Sequence, residues 1–232
     1  MLKEIHNTYK EIANDQNHRY RSWEHCYKFF KENRHSSNVE IEHFSLHLFA
    51  YLSSWGMLRG SSFLLQKDYK FHNEIVEIIL DSRYDFLQDL NIATLSNKDV
   101  EIVMEIKDRI RERYYDRTHL VNGTTGKNKT ATDTLVSKIL LGTLCCSPAY
   151  DRYFIDGLKQ KSIMGRNFSE KSMYAHKDFY NKNLTAFQDT QIEISKLAGI
   201  NYPTMKLLDM YFWRLGYEAD VNNMRKSKDS RV

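Results

Sequence analysis

Large apolar side chains recur every three to four positions along most of this chain, the period of a helix with one buried stripe. In the stretch 17–32, Trp23, Cys26, Tyr27 and Phe30 fall on one side, with Arg21, Glu24, Lys28 and Lys31 opposite. The same pattern predicts helices over 2–13 and 40–58, the second carrying Phe44, Leu48, Tyr51, Leu52 and Trp55. Gly60, Ser61 and Ser62 mark a helix restart, because hydroxyls and small residues satisfy the orphan amides of a first turn. From 63 to 90 the pattern stays helical with one or two bends. Ser96 followed three positions later by Asp99 resembles a capping box, and Val100, Val103, Ile106, Ile110 and Tyr114 carry that helix onward.

Residues 117–131 read as a loop. Residues 135–146 are apolar nearly all round, with only Ser137 and Lys138 strongly polar, which predicts a central buried helix. Ser147 and Pro148 have N-cap and first-turn character and open a helix to 158. A long amphipathic helix or helix pair covers 169–197 and ends at Gly199. Pro203 opens a last helix over 204–215, which Gly216 ends. Beyond it, 217–232 is a polar tail with Arg225, Lys226, Lys228 and Arg231, expected to be disordered. No alternating run is long enough for a strand. The expectation is an all-α fold, a single domain over 1–216 with about eight to ten helices packed around 135–146.

Composition sharpens that picture. Only 2 prolines and 9 glycines in 232 residues leave few breakers, and 13% aromatic residues supply bulky core and pocket material. The net charge of +4 comes from interleaved charges, which permits an anionic partner without demanding one. Cys26, Cys145 and Cys146 stand in no metal-type or redox-type spacing and fit a reduced, cytoplasmic setting. No N-terminal stretch resembles a signal peptide, and no apolar run reaches the ~18 residues of a membrane span. A phosphate-binding P-loop is excluded, because two residues rather than four separate Gly123 from Gly126, and Lys127 is followed by Asn128.

The informative residues are charges set among apolar neighbours. At 100° per residue Arg19 falls within the arc of Trp23, Cys26, Tyr27 and Phe30, and Arg59 lies in a hydrophobic stretch between Gly56 and Gly60. Asp151 and Asp209 are the corresponding acids expected to be buried. A guanidinium withdrawn from water needs a carboxylate or an anionic ligand. One reading is that the fold supplies the acids as internal ion pairs. The other is a polar-aromatic pocket recognising an anionic, phosphate-bearing ligand, a nucleotide or a nucleic-acid segment. Arg19 and Arg59 would bind the anion beside the amides of Gly60, Ser61 and Ser62, and Tyr20, Trp23 or Trp55 would pack against it. The 122–130 loop, with Lys127 and Lys129, would cover it.

Other chemistries are represented. Arg19 and His25, with five residues between them, resemble the motif of HEPN ribonucleases, all-α proteins that cleave RNA. The resemblance would make Arg19 the phosphate stabiliser and His25 the acid/base group. His43 and His47 stand at i,i+4, and Glu40 precedes His43 at i,i+3, so a helical-bundle, metal-dependent hydrolase with a third histidine, His25 or His72, is a further alternative. The third is a structural or assembly protein whose helices present aromatic surface to a partner chain, and a homo-oligomer is compatible with any of these readings. The sequence names no cofactor.

Overall fold

Every residue from Leu135 to Thr143 is buried, and the rest of the chain is arranged around that segment. The computed structural model describes residues 3–118, 120, 121 and 124–229. They form an all-α fold. Its α-helices are α1 (Lys3–Ala13), α2 (Arg21–Asn33), α3 (Ile41–Ser54), α4 (Asn73–Leu80), α5 (Asn97–Arg117), α6 (Asp133–Thr143), α7 (Arg152–Gln160), α8 (Glu170–Lys182), α9 (Leu184–Ala198) and α10 (Thr204–Asp229). A two-residue antiparallel pairing of Leu120–Val121 with Thr124–Thr125 flanks Asn122 and Gly123, which lie outside the described residues.

The central helix is α6, as its all-round apolar pattern predicts. Its backbone is reached by side chains from three directions. The Trp23 indole donates to Leu141 O at 2.8 Å, the Tyr51 hydroxyl to Lys138 O at 3.1 Å, and Gln88 Nε2 to Thr143 O at 3.2 Å. Gly142 lets the Tyr51 ring approach, since a methyl group there would lie 2.3 Å from it. Buried polar atoms need partners, so these bonds fix the register of α2 and α3 on α6. The Ser96–Asp99 capping box forms with both of its bonds and starts α5.

Several expectations change, among them the ends of the helices expected over 40–58 and 135–146, which stop at Ser54 and Thr143. The second helix begins at Arg21 rather than 17, because short side chains compete for the preceding amides: Asp15 Oδ1 accepts from Asn17 N–H at 2.9 Å and His18 Nδ1 from Tyr20 N–H at 3.3 Å. Arg19 and Tyr20 therefore sit in an approach turn, off the apolar arc. Residues 63–90 contain only one α-helix, α4, with 3₁₀ turns at Phe63–Gln66, Tyr69–His72 and Ser82–Asp89. Asp151, not Ser147, caps α7, accepting from Phe154 N–H at 3.1 Å.

Gly216 does not stop the last helix, which runs on through Asp229, so the described part of the expected tail, 217–229, is helical. A methyl group at Gly216 would lie 2.0 Å from Tyr153 O, and one at Gly157 would lie 1.9 Å from Phe212 O. Both glycines serve the close approach of α7 and α10.

Helix α3 ends in a Schellman turn. Gly56 takes φ +72°, Met57 N–H bonds Leu52 O at 2.9 Å, and the chain swings sharply away after Trp55. That turn, the approach turn before α2 and the start of α7 all face one hollow.

Candidate functional site

The hollow is a cavity of about 780 Å³. Arg19 and Tyr20 enter from the turn before α2, Trp55 to Phe63 from the segment after α3, and Lys129 to Lys138 from the loop and first turns of α6. The start of α7 gives Asp151, Arg152 and Tyr153, and α10 gives Trp213. Its aromatic wall is continuous: Tyr20 packs edge-on against both Trp55 and Trp213 with centroids 5.4 Å apart, and Tyr153 meets Trp213 at 5.4 Å.

Five cations and one carboxylate line this space. Arg19 and Arg59 line it but are solvent-exposed rather than withdrawn from water as the sequence predicts, and neither is paired with an acid among the described residues. The Arg19 guanidinium lies 4.6 Å from the Tyr20 ring centroid and donates to its hydroxyl at 2.6 Å. The Arg59 guanidinium rests on the turn at Gly56, where a methyl group would come within 3.4 Å of its Cζ. Several arginines elsewhere are matched: Arg83 bonds Glu105, Arg113 meets Glu74 at 2.6 Å, and Arg214 meets Glu11 at 2.7 Å. Among the described residues Lys129 also lacks an acid. Its position is set by the backbone, because its N–H donates to Thr118 Oγ1 at 2.6 Å and the neighbouring Asn128 side chain donates to Tyr115 O at 2.9 Å.

The floor is a lysine–aspartate pair. Lys138 Nζ, on a side chain 8% exposed, donates to Trp55 O at 3.1 Å and stands 3.5 Å from Asp151 Oδ2. Burial pushes the Lys138 ammonium below its ordinary pKa and the Asp151 carboxyl above its own, each opposed by the charge of the other.

Behind Tyr20, Trp55 and Trp213 lies a second cavity of about 30 Å³, containing another such pair: Lys206 Nζ bonds Asp209 Oδ2 at 2.8 Å. Asp209 Oδ1 accepts from Ala149 N–H at 3.0 Å, and Lys206 Nζ stands 4.5 Å from the Trp55 ring and 5.1 Å from that of Trp23.

The sequence-predicted residues are partly brought together. Arg19, Tyr20, Trp55, Arg59, Ser61, Ser62 and Asp151 all line the large cavity. Asp209 is buried but faces only the small one. The acids belong to lysines, so the expected arginine–aspartate pairing is not formed. No anion seat forms on a helix N-terminus at 60–62, because the restart is a single 3₁₀ turn whose Leu64 amide is capped by Ser62 Oγ at 3.3 Å and whose Ser62 amide bonds Arg59 O at 3.1 Å. Trp23 is core, fully buried and stacked on Tyr27 at 5.2 Å. In the loop it is Lys129 and Thr130, not Lys127, that reach the cavity.

His25 is exposed and does not line the cavity with Arg19. Its charge is felt by His47, whose ring stacks on Phe29 at 3.7 Å and whose pKa is lowered by burial and by His25 and His43. Among the described residues no three His, Cys, Asp or Glu side chains are grouped to share a metal ion. Lys138, Arg152, Tyr153 and Trp213 were missed as site residues. The signal for Lys138 was present, since a lone cation on a helix apolar all round must find a partner. Lys206 and Asp209 were likewise readable as an i,i+3 pair.

Comparison with protein-family models, curated proteins and solved structures finds no match for this chain. Among the described residues no helix is long and apolar enough to cross a membrane.

Proposed function

We propose that the large cavity binds a phosphate-bearing ligand with an aromatic ring, a nucleotide or a nucleic-acid segment. The observation that carries this is the pair Arg19 and Arg59, which line one cavity without a carboxylate of their own. Guanidinium fits phosphate with forked hydrogen bonds, and Lys129 adds a third unmatched charge. Tyr20, Trp55, Trp213 and Tyr153 offer a wall for a base or other flat ring to pack on. The volume of about 780 Å³ falls in the ~300–1,000 Å³ range of small-ligand sites.

Equilibrium titration with ATP, GTP, tripolyphosphate and a short single-stranded oligonucleotide tests the reading. Binding should weaken as salt rises, and Lys129→Ala should weaken it several-fold while Lys127→Ala leaves it unchanged. Failure of all four probes to bind at millimolar concentration, or equal effects of the two lysine substitutions, contradicts it.

A further inference from the structure

A cavity built only to hold an anion is weakened by a carboxylate in its floor, since like charges repel strongly at short range. Asp151 is nevertheless there; capping α7 does not call for an acid, and its pairing with Lys138, which does, is a loose one that leaves the carboxylate facing the cavity. It caps α7, but asparagine or serine caps a helix equally well. It partners Lys138, and the molecule shows how a purely internal lysine–aspartate pair is built. Lys206 and Asp209 bond at 2.8 Å with side chains 7% and 2% exposed. Lys138 and Asp151 stand further apart, at 3.5 Å, and the Asp151 side chain keeps 15% exposure where it lines the cavity. Its Oδ1 is taken by Phe154 N–H at 3.1 Å, which leaves the loosely held Oδ2 as the reactive oxygen.

We infer that Asp151, oriented by Lys138, is a general base that activates water to hydrolyse a phosphoanhydride whose phosphates rest on Arg19, Arg59 and Lys129. This rests on the nucleotide reading above. Asp151 takes a proton from water as the water oxygen forms a bond to the terminal phosphorus. The bond from that phosphorus to its bridging oxygen breaks, and its electron pair leaves with the shorter polyphosphate. Inorganic phosphate is the second product, and the proton passes from Asp151 to solvent. Nothing is oxidised or reduced. Such transfer depends on positioning and charge stabilisation, which the unmatched cations supply. Burial raises the Asp151 pKa, which makes its carboxylate a better base than an exposed one.

The test is phosphate release from ATP and GTP by the full chain in a magnesium buffer, with nucleotide binding and thermal melting followed on the same samples. Wild type should turn over. Asp151→Asn keeps the cap but leaves the buried Lys138 without its acid, so the melting temperature should fall, while the folded protein keeps nucleotide binding and turnover drops at least ~100-fold, the low end for loss of a general base. Asp151→Ser, also a capping residue, should behave alike and serves where the asparagine variant misfolds. Bound nucleotide with no phosphate released by wild type overturns the hydrolysis and leaves the binding reading standing. Undiminished turnover in a folded Asp151→Asn or Asp151→Ser protein overturns the role of Asp151. Absence of nucleotide binding overturns the reading beneath both.

Discussion

Replacing Arg59 by alanine separates a ligand-binding arginine from an architectural one. Its guanidinium is exposed, rests on the Gly56 turn and meets no carboxylate among the described residues, so little folding energy depends on it. Surface substitutions of that kind stay within ~0.5 kcal/mol, which moves the melting point of a chain this size by roughly 1–2 °C. In a phosphate complex the same side chain makes charge-assisted hydrogen bonds worth about 1.5–3 kcal/mol. Their loss corresponds to about 10- to 150-fold weaker binding. Arg59→Lys keeps the charge and loses the fork, so it should fall between. Tryptophan fluorescence gives the dissociation constant for ATP, because Trp55 and Trp213 face the cavity, and calorimetry gives the melting point. An unchanged dissociation constant refutes the reasoning. So does a melting point lowered by many degrees, which would make Arg59 a structural residue.

Three stability predictions follow from the packing. Asp209→Ala strands the buried Lys206 charge and the Ala149 amide, and should cost about 3–5 kcal/mol in urea unfolding, much of it recovered in an Asp209→Ala/Lys206→Met protein. Gly216→Ala should lower the melting point although alanine is the better helix former by about 1 kcal/mol, because the methyl group would collide with Tyr153 O; a raised melting point contradicts the close α7–α10 contact. His72 is buried against the Tyr114 hydroxyl at 2.7 Å, and burial lowers its pKa from 6.5 to about 4. The folded state thus binds that proton less readily than the unfolded chain, so its contribution to stability is intact above pH 6.5 and is lost as pH falls toward 4. The slope of unfolding free energy in that window should flatten in His72→Gln, and an unchanged slope speaks against it.

What the sequence disclosed depended on the range of the interactions involved. The buried helix at 135–143 and the capping box at Ser96 were legible because their signals are local and repeated. The start of α2 was not, because Asp15 and His18 divert two backbone amides that a periodicity reading counts as helical. Gly216 looks like a stop in one dimension and is a contact point in three. The cavity was half legible. Arg59, Ser61, Ser62 and Trp55 are neighbours along the chain, and their common location could be read, whereas Lys138, Tyr153 and Trp213 join them only through the packing of α6, α7 and α10. Arg19 lies outside α2 and so off the apolar arc that periodicity assigns it, yet it faces the same cavity as Arg59. Asp151 meets Lys138 through the packing of α6 against the start of α7, whereas Asp209 meets Lys206 within one helix, and in both pairs lysine displaced arginine.

A crystal of the full chain grown with a non-hydrolysable ATP analogue is the most direct test that the large cavity is a phosphate site. The expected result is phosphate density within hydrogen-bonding reach of Arg19 and Arg59, with the base against the Tyr20–Trp213 wall. Density elsewhere on the molecule, or a cavity holding only water at saturating nucleotide, would contradict it.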